Sequence, residues 1–291
     1  MMKLFAAGIL LAGVAGSIAV HAAAGGNKGT ADGAGRIVSL APNLTELAFA
    51  AGAGERIVGT PEYSDYPAAA RAIPRIGDAF RFDMERVLAL RPGVVLAWEP
   101  GTPDAVIGRL RGLRLRVEKI TTWNIAGIAQ AVREIGRIAG TEAVANAAAG
   151  KFERDIEVLR QRYSRQAPVD VFLQINDQPL YTVNGKQIMS ELLGLCGGRN
   201  VFAALNDLAP QVGIEAVIAA NPEVIISTGD AQAETLKQWR RWPQLTAVAT
   251  GNVYVLSPDN IERATPRLAE GAAEICRVLE TARQRLGRSS Q

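Results

Sequence analysis

Few residues in this chain could carry out a reaction. Acyl transfer needs a serine or cysteine beside a base, and the only histidine among 291 residues is His21. That residue lies in an apolar leader expected to be removed, so the mature chain has no histidine to offer a catalytic or metal site. There is no G-x-S-x-G elbow, no G-x-x-x-x-G-K-[ST] loop, and no G-x-G-x-x-G opening a helix after a strand. AGAGER follows its helix, where glycines end helices, and reads as a cap rather than a phosphate loop. Asp78 and Asp83 could pair for acid–base work, but their spacing does not show it. No catalytic residues, no metal site and no cofactor are therefore expected. The chemistry left is binding. Tyr63 stands in PEYSDYP, Trp98 closes VVLAW, Tyr181 stands in QPLYTVNG, and Asp259 and Arg263 stand in SPDNIERATPR. Rigid aromatic faces hold a large, partly apolar ligand while a few polar groups orient it. Each ring alone could be ordinary core, but the five residues together, on strand ends and loops of one cleft, favour a ligand.

Two further residues stand out because the chain writes their surroundings twice. MERVLALRPGVVLAW at 84–98 aligns without a gap on IEAVIAANPEVIIST at 214–228, and Glu85 and Glu215 fall in the same slot. As early helix residues each favours its helix dipole by roughly 0.3–1 kcal/mol. Two matched acids on equivalent surfaces could also clamp a partner that offers arginines. The sequence leaves both readings standing.

The elements that must position these residues alternate helix with buried strand. RIVSL is a short strand, and APNLTELAFAAGAG is a helix that Asn43 or Thr45 can cap and the glycines end. RIVGT is a second strand; Asp83 caps the helix MERVLAL, Pro92 ends it, and VVLAW reads as a strand covered on both faces. Such alternation means an α/β fold with parallel sheets. Residues 141–166 break the pattern: a Thr141 cap, no proline, and Val144, Ala148, Phe152, Ile156, Leu159 and Tyr163 at helical spacing. About 25 residues at 1.5 Å each make a helix of roughly 37 Å. The pattern then restarts: VDVFLQI answers RIVSL, and SELLGLCGGRNVF answers TELAFAAGAGERIV. The expected architecture is two similar α/β lobes, 36–140 and 167–291, joined by one long rigid helix over 141–166. A ligand cleft should lie between them, beyond the carboxyl ends of the strands.

The first residues read as an export signal over 1–24. Lys3 precedes the apolar run LFAAGILLAGVAGSIAV, and small residues suit cleavage near Ala22 or Ala24. A membrane anchor is the alternative, but the run is near the lower length limit for spanning and no cationic stop follows. Residues 25–35, rich in glycine and alanine, read as a flexible tether. In the oxidising space beyond, Cys196 and Cys276 would pair by default, with two buried thiols as the alternative. The net charge of +3 and the scattered arginines, such as Arg109, Arg111, Arg114 and Arg116, argue against nucleic acid as a partner.

RIVSLAPNLTELAFAAG, YSDYP, MERVLALRPGVVLAW, ELLGLCGGRNVF, PQVGIEAVIAANPEVII and ERATPR together resemble the periplasmic cobalamin-binding proteins of bacterial ABC importers, over about residues 36–282. YSDYP, CGGRN and ERATPR are the specific part; TELAFAAG alone would fit the wider siderophore and haem relatives. The resemblance implies a monomeric periplasmic receptor, not an enzyme, with a corrinoid in the cleft touching Tyr63, Trp98, Tyr181, Asp259 and Arg263. It implies a Cys196–Cys276 disulfide in the second lobe, and docking of Glu85 and Glu215 onto arginines of an inner-membrane permease. The chain departs from the family at Ala79, Ile175 and Ala209, where aromatic residues are expected, with Phe80 or Trp123 as substitutes. Haem or a ferric siderophore is the alternative ligand. Without histidine, only Tyr63 or Tyr181 could reach its iron.

Overall fold

The computed structural model describes residues 35–78, 81–228 and 232–288. The expected signal and nearly all of the expected tether lie outside the described residues, as do Ala79 and Phe80. The first half of the chain runs β1 (Ile37–Ser39), α1 (Pro42–Ala50), β2 (Ile57–Gly59), α2 (Met84–Ala89) and β3 (Val94–Glu99). It continues with α3 (Asp104–Gly112), β4 (Val117–Thr121) and α4 (Ile125–Ala139). Helix α5 (Glu142–Tyr163) leads into the second half: β5 (Val169–Gln174), β6 (Asn176–Asp177), β7 (Leu180–Tyr181), α6 (Ile188–Leu195) and β8 (Gly198–Asn200). There follow α7 (Ile214–Ala220), β9 (Val224–Thr228), α8 (Gln232–Trp239), α9 (Thr246–Ala249) and β10 (Val253–Leu256). Two helices close the chain, α10 (Pro258–Ile261) and α11 (Leu268–Arg285).

Each half builds a four-stranded parallel sheet. The orders are β2-β1-β3-β4 and β8-β5-β9-β10, so the first strand of each half lies between its second and third. The repeated stretch occupies the same place in both: α2 then β3, and α7 then β9. Both helices end the same way. Arg91 and Asn221 stand in equivalent slots and take φ of 45° and 42°, the left-handed turn that stops a helix, and a proline follows each. For Asn this conformation is ordinary, for Arg it costs more. Asp83 caps α2 as expected, its carboxylate accepting from the Arg86 N–H at 2.9 Å.

Two expected caps turn out otherwise. α1 begins at Pro42, which has no N–H to satisfy, and neither Asn43 nor Thr45 caps it. Thr45 instead joins a buried hydroxyl cluster, 3.0 Å from Ser39 Oγ and 2.6 Å from Thr60 Oγ1. Thr141 precedes α5, but its hydroxyl donates to the Ala51 carbonyl at 2.7 Å.

The long helix is not alone. α4 turns at Gly140, φ 65°, and α5 folds back beside it, with Gly136 against Ala145 so closely that a Cβ on Gly136 would collide. This pairing shifts the buried stripe of α5 at its start to Ala145 and Ala149, then Phe152, Ile156 and Tyr163, and leaves Val144 53% exposed. One apolar core runs through both halves, taking Leu96 and Ile120 from the first sheet, Leu173 and Ile226 from the second, and the inner faces of α4, α5 and α11. A disulfide joins Cys196, just after α6, to Cys276 in α11.

Candidate functional site

A cleft of about 310 Å3 opens between the halves. Its first wall is Trp98 near the end of β3 and Pro100 just after it, with Thr122 and Trp123 after β4; the second includes Ile175 after β5, Val183, Gln187 and Met189. The cleft therefore lies beyond the carboxyl ends of β3, β4 and β5, where ligands of open parallel sheets bind. Its volume is within the range of small-molecule sites, about 300–1,000 Å3.

Trp98 is the most firmly held of its aromatic residues. Its ring is partly buried against the shared core, its Nε1–H donates to Thr122 Oγ1 at 2.9 Å, and its backbone N–H donates to Thr102 Oγ1 at 2.9 Å. Gly101 lies against the ring face, and a Cβ there would run into Cε3 and Cζ3. Trp123, by contrast, is 49% exposed. Ile175 and Ala209, two of the departures from the expected aromatic pattern, both line the cleft with Trp123. An aromatic face is thus present on the first wall, opposite an isoleucine and an alanine on the second.

The other expected ligand residues are not part of this lining. Tyr63 is 76% exposed and takes φ 63°, a conformation that costs a bulky residue about 1–2 kcal/mol. The base of its loop is anchored: Arg75 Nη2 donates to the Ser64 carbonyl at 3.0 Å and Arg71 Nε to the Asp65 carbonyl at 3.2 Å. Tyr181 is half-buried in β7, and its carbonyl accepts from the N–H of the lining residue Ile175 at 3.0 Å. Asp259 and Arg263 are joined to each other, Arg263 Nε lying 3.2 Å from Asp259 Oδ1.

Arg263 belongs to a larger group that sequence reasoning missed. Its Nη1 lies 3.2 Å from Glu46 Oε1 and 3.1 Å from Asp65 Oδ1, both in the first half. Arg267 grips the same Glu46 with two bonds, Nη2 to Oε1 at 2.6 Å and Nε to Oε2 at 2.9 Å, and stacks over the Tyr66 ring at 4.0 Å. Glu46 itself is 4% exposed. Burial alone would lower both guanidinium pKa values, but the carboxylates outweigh it and hold Arg263 and Arg267 above the ordinary value. Asp65 is shifted the complementary way: burial raises it, and the hydrogen bond and charge of Arg263, with Arg71, outweigh that and hold it below the usual aspartate range. Glu262 and Ala264, on either side of Arg263, line the cleft, so this ionic group backs its second wall. The available signal was one acid, Glu46, inside the apolar run TELAFAA. Gln187, Met189, Lys186 and Leu208, also on the cleft, had no pattern to reveal them.

Glu85 and Glu215 occupy the first turns of α2 and α7, both exposed, and neither makes a side-chain hydrogen bond or ion pair among the described residues.

Two parallel sheets of one strand order, with a cleft at their carboxyl ends and a core running beneath both, define a two-lobed binding protein. The chain belongs to the periplasmic binding protein family, whose model matches residues 37–260. It is 33% identical over 251 residues to the vitamin B12-binding protein of Vibrio campbellii, covering 86% of this chain and 91% of that one. The crystal structure of the periplasmic vitamin B12 binding protein of Vibrio cholerae matches with a TM-score of 0.81 at 34% identity, over 86% of this chain and 98% of that one. A periplasmic heme-binding protein of Vibrio cholerae matches with a TM-score of 0.74 at 20% identity, over 84% and 98%, and shares the fold.

Proposed function

We propose that this chain is a periplasmic receptor that captures cobalamin or a related corrinoid in the cleft and hands it to an ABC permease of the inner membrane. The observation that carries the reading is the identity of 33–34% over nearly the whole length of proteins named for vitamin B12 binding. The cleft is consistent with it. A corrinoid brings its cobalt already ligated by nitrogen atoms of its own, so a wall of Trp98 and Trp123 without histidine suffices. Trp98 is the central contact in this reading. Tyr63 and Tyr181 add aromatic contacts at its margins, and Asp259 and Arg263 meet polar substituents. In this reading the ligand leaves unchanged.

Delivery rests on Glu85 and Glu215, exposed at equivalent places and free to pair with arginines of the permease. The receptor acts as a monomer, exported by residues 1–24 and tethered by 25–35, with lobes 36–140 and 167–291 about the helix 141–166. The test is a titration of the mature protein with cyanocobalamin, cobinamide and haemin, followed by visible spectrum and calorimetry. One corrinoid per chain, recovered unaltered, is the expected result. Tight binding of haemin with no binding of either corrinoid would overturn it.

A further inference from the structure

The halves repeat a second pair of acids besides Glu85 and Glu215, and of this second pair the first is buried and the second exposed. TELAFAAG in α1 aligns with SELLGLCG in α6, which places Glu46 and Glu191 in the same slot. Both side chains leave their own half. Glu46 reaches Arg267, the residue at the N-cap position of α11, and Arg263 shortly before it. Glu191 Oε2 accepts from the backbone N–H of Ile125, the first residue of α4, at 2.8 Å. α4 follows the last strand of the first half, and α10 and α11 follow the last strand of the second. Each glutamate therefore holds the entrance of the other half's final helix. The residues before them, Thr45 and Ser190, are also bonded, Thr45 to Thr60 beyond β2 at 2.6 Å and Ser190 to the Asn184 carbonyl ahead of α6 at 2.7 Å.

We propose that Glu46 and Glu191 are positioning residues, a reciprocal pair of cross-ties that set the width of the cleft. Glu46 stands behind the wall that carries Glu262 and Ala264. Glu191 holds α6, whose start carries the lining residues Gln187 and Met189, against the β4–α4 turn that carries Thr122 and Trp123. A hydrophobic residue in the place of Glu46 would pack, but it would not fix a direction. A carboxylate that accepts from particular donors does, because leaving the partly buried guanidinium groups of Arg263 and Arg267 without it is costly. With one apolar core running under both halves, the ties predict that loosening either one widens the spread of cleft widths. The consequence for affinity rests on the proposed corrinoid binding; the consequence for cleft width does not.

The test uses the mature chain with spin labels on Gly108→Cys in α3 and Ala219→Cys in α7, both exposed, the native cysteines being bonded to each other. In the parent protein a single narrow interlabel distance is expected. Glu191→Ala, which leaves no buried charge behind, should broaden the distribution and raise the Kd for cyanocobalamin about threefold. Glu46→Gln should do both more strongly, with Kd up about tenfold, since the receptive width would then be populated a fraction of the time. Glu46→Asp should recover part of both effects. An unchanged distribution and a Kd within twofold of the parent in Glu191→Ala and Glu46→Gln would overturn the proposal. If Glu46→Gln does not fold, Glu191→Ala alone decides by the same criterion. If the parent binds no corrinoid, the proposed function fails and the distances still judge the ties.

Discussion

Trp98→Ala is the most direct test of the cleft. The ring is partly buried already, so a ligand can cover only its open face, about 50–100 Å2 for a side chain of this size. At 25–30 cal/mol per Å2 that contact contributes about 1–3 kcal/mol, which raises Kd roughly 5- to 150-fold. Trp98→Phe separates the face from the polar edge: it keeps a ring but drops the bond from Nε1 to Thr122 Oγ1, and it should lose less affinity than alanine. Gly101→Ala approaches from the other side, since its Cβ must push the ring aside, and should weaken binding with Trp98 still present. The assay is calorimetry with cyanocobalamin, paired with thermal unfolding of each variant without ligand. A melting temperature lowered in Trp98→Ala with Kd within twofold of the parent would refute the reasoning and leave the ring as core alone.

Tyr181→Ala should weaken corrinoid binding in the same assay by roughly 1 kcal/mol, less than Trp98→Ala, because the side chain stands outside the cleft lining; an effect larger than that of Trp98 would relocate the site. Changing Glu85 and Glu215 together to Ala should leave ligand affinity unaltered and abolish complex formation with the permease in pull-down and reconstituted uptake, and parent docking should weaken as salt rises; normal transport by the double variant would reduce both to helix-end stabilisers. Removing the Cys196–Cys276 bond, which spans 80 residues, should cost about 4.5 kcal/mol in the chain-entropy model, and a denaturation midpoint for Cys196→Ala/Cys276→Ala equal to the parent's would count against it. Asp65 is held below its ordinary value, so its bond to Arg263 stabilises fully above that value, about 3.9, and the contribution is lost as pH falls below it, where the unfolded chain takes up the proton first. Asp65→Asn should therefore flatten the fall in melting temperature below about pH 4; the side chain is nearly half exposed, so the difference is small, and identical acid limbs would exclude it.

The fold was legible because its signals are local and repeated. A proline after each helix of the 84–98 and 214–228 stretches, and apolar runs such as VVLA and VIIS, mark buried strands whatever surrounds them. The disulfide was legible as a possibility from two cysteines alone, and the family resemblance chose between pairing and free thiols. Capping was legible only where the cap was acidic and isolated, as at Asp83. Thr45 and Thr141 failed as caps because a hydroxyl bonds whichever polar partner tertiary packing brings near, here Thr60 and Ala51. The stripe of α5 was misplaced at Val144 because helix periodicity gives a face but not the partner, and the close approach of Gly136 to Ala145 rotates that face by one residue. In the site, Trp98 was visible at the end of its strand. The group of Glu46 with Arg263 and Arg267 was not, because Glu46 lies more than 200 positions from both arginines and no spacing rule reaches across two halves.

What the duplication kept and what it let go can be read against the chemistry each part performs. The strand order, the left-handed turns at Arg91 and Asn221, the exposed pair Glu85 and Glu215 and the cross-tying pair Glu46 and Glu191 all recur at matched positions. The cleft does not recur: the slot of Trp98 holds Thr228 in the second half, a buried hydroxyl that faces the Gln174 carbonyl at 3.5 Å instead of a ligand. A frame built from two like halves needs equivalent contacts wherever the halves meet each other or a partner with two like halves. A corrinoid has no such symmetry, so each wall of the cleft meets different chemistry and nothing in the duplication holds the walls alike. Substitutions at frame positions should accordingly show paired effects, the second glutamate of each pair adding to the first, whereas substitutions at cleft positions should act singly, with Thr228→Val leaving affinity as it is while Trp98→Ala lowers it.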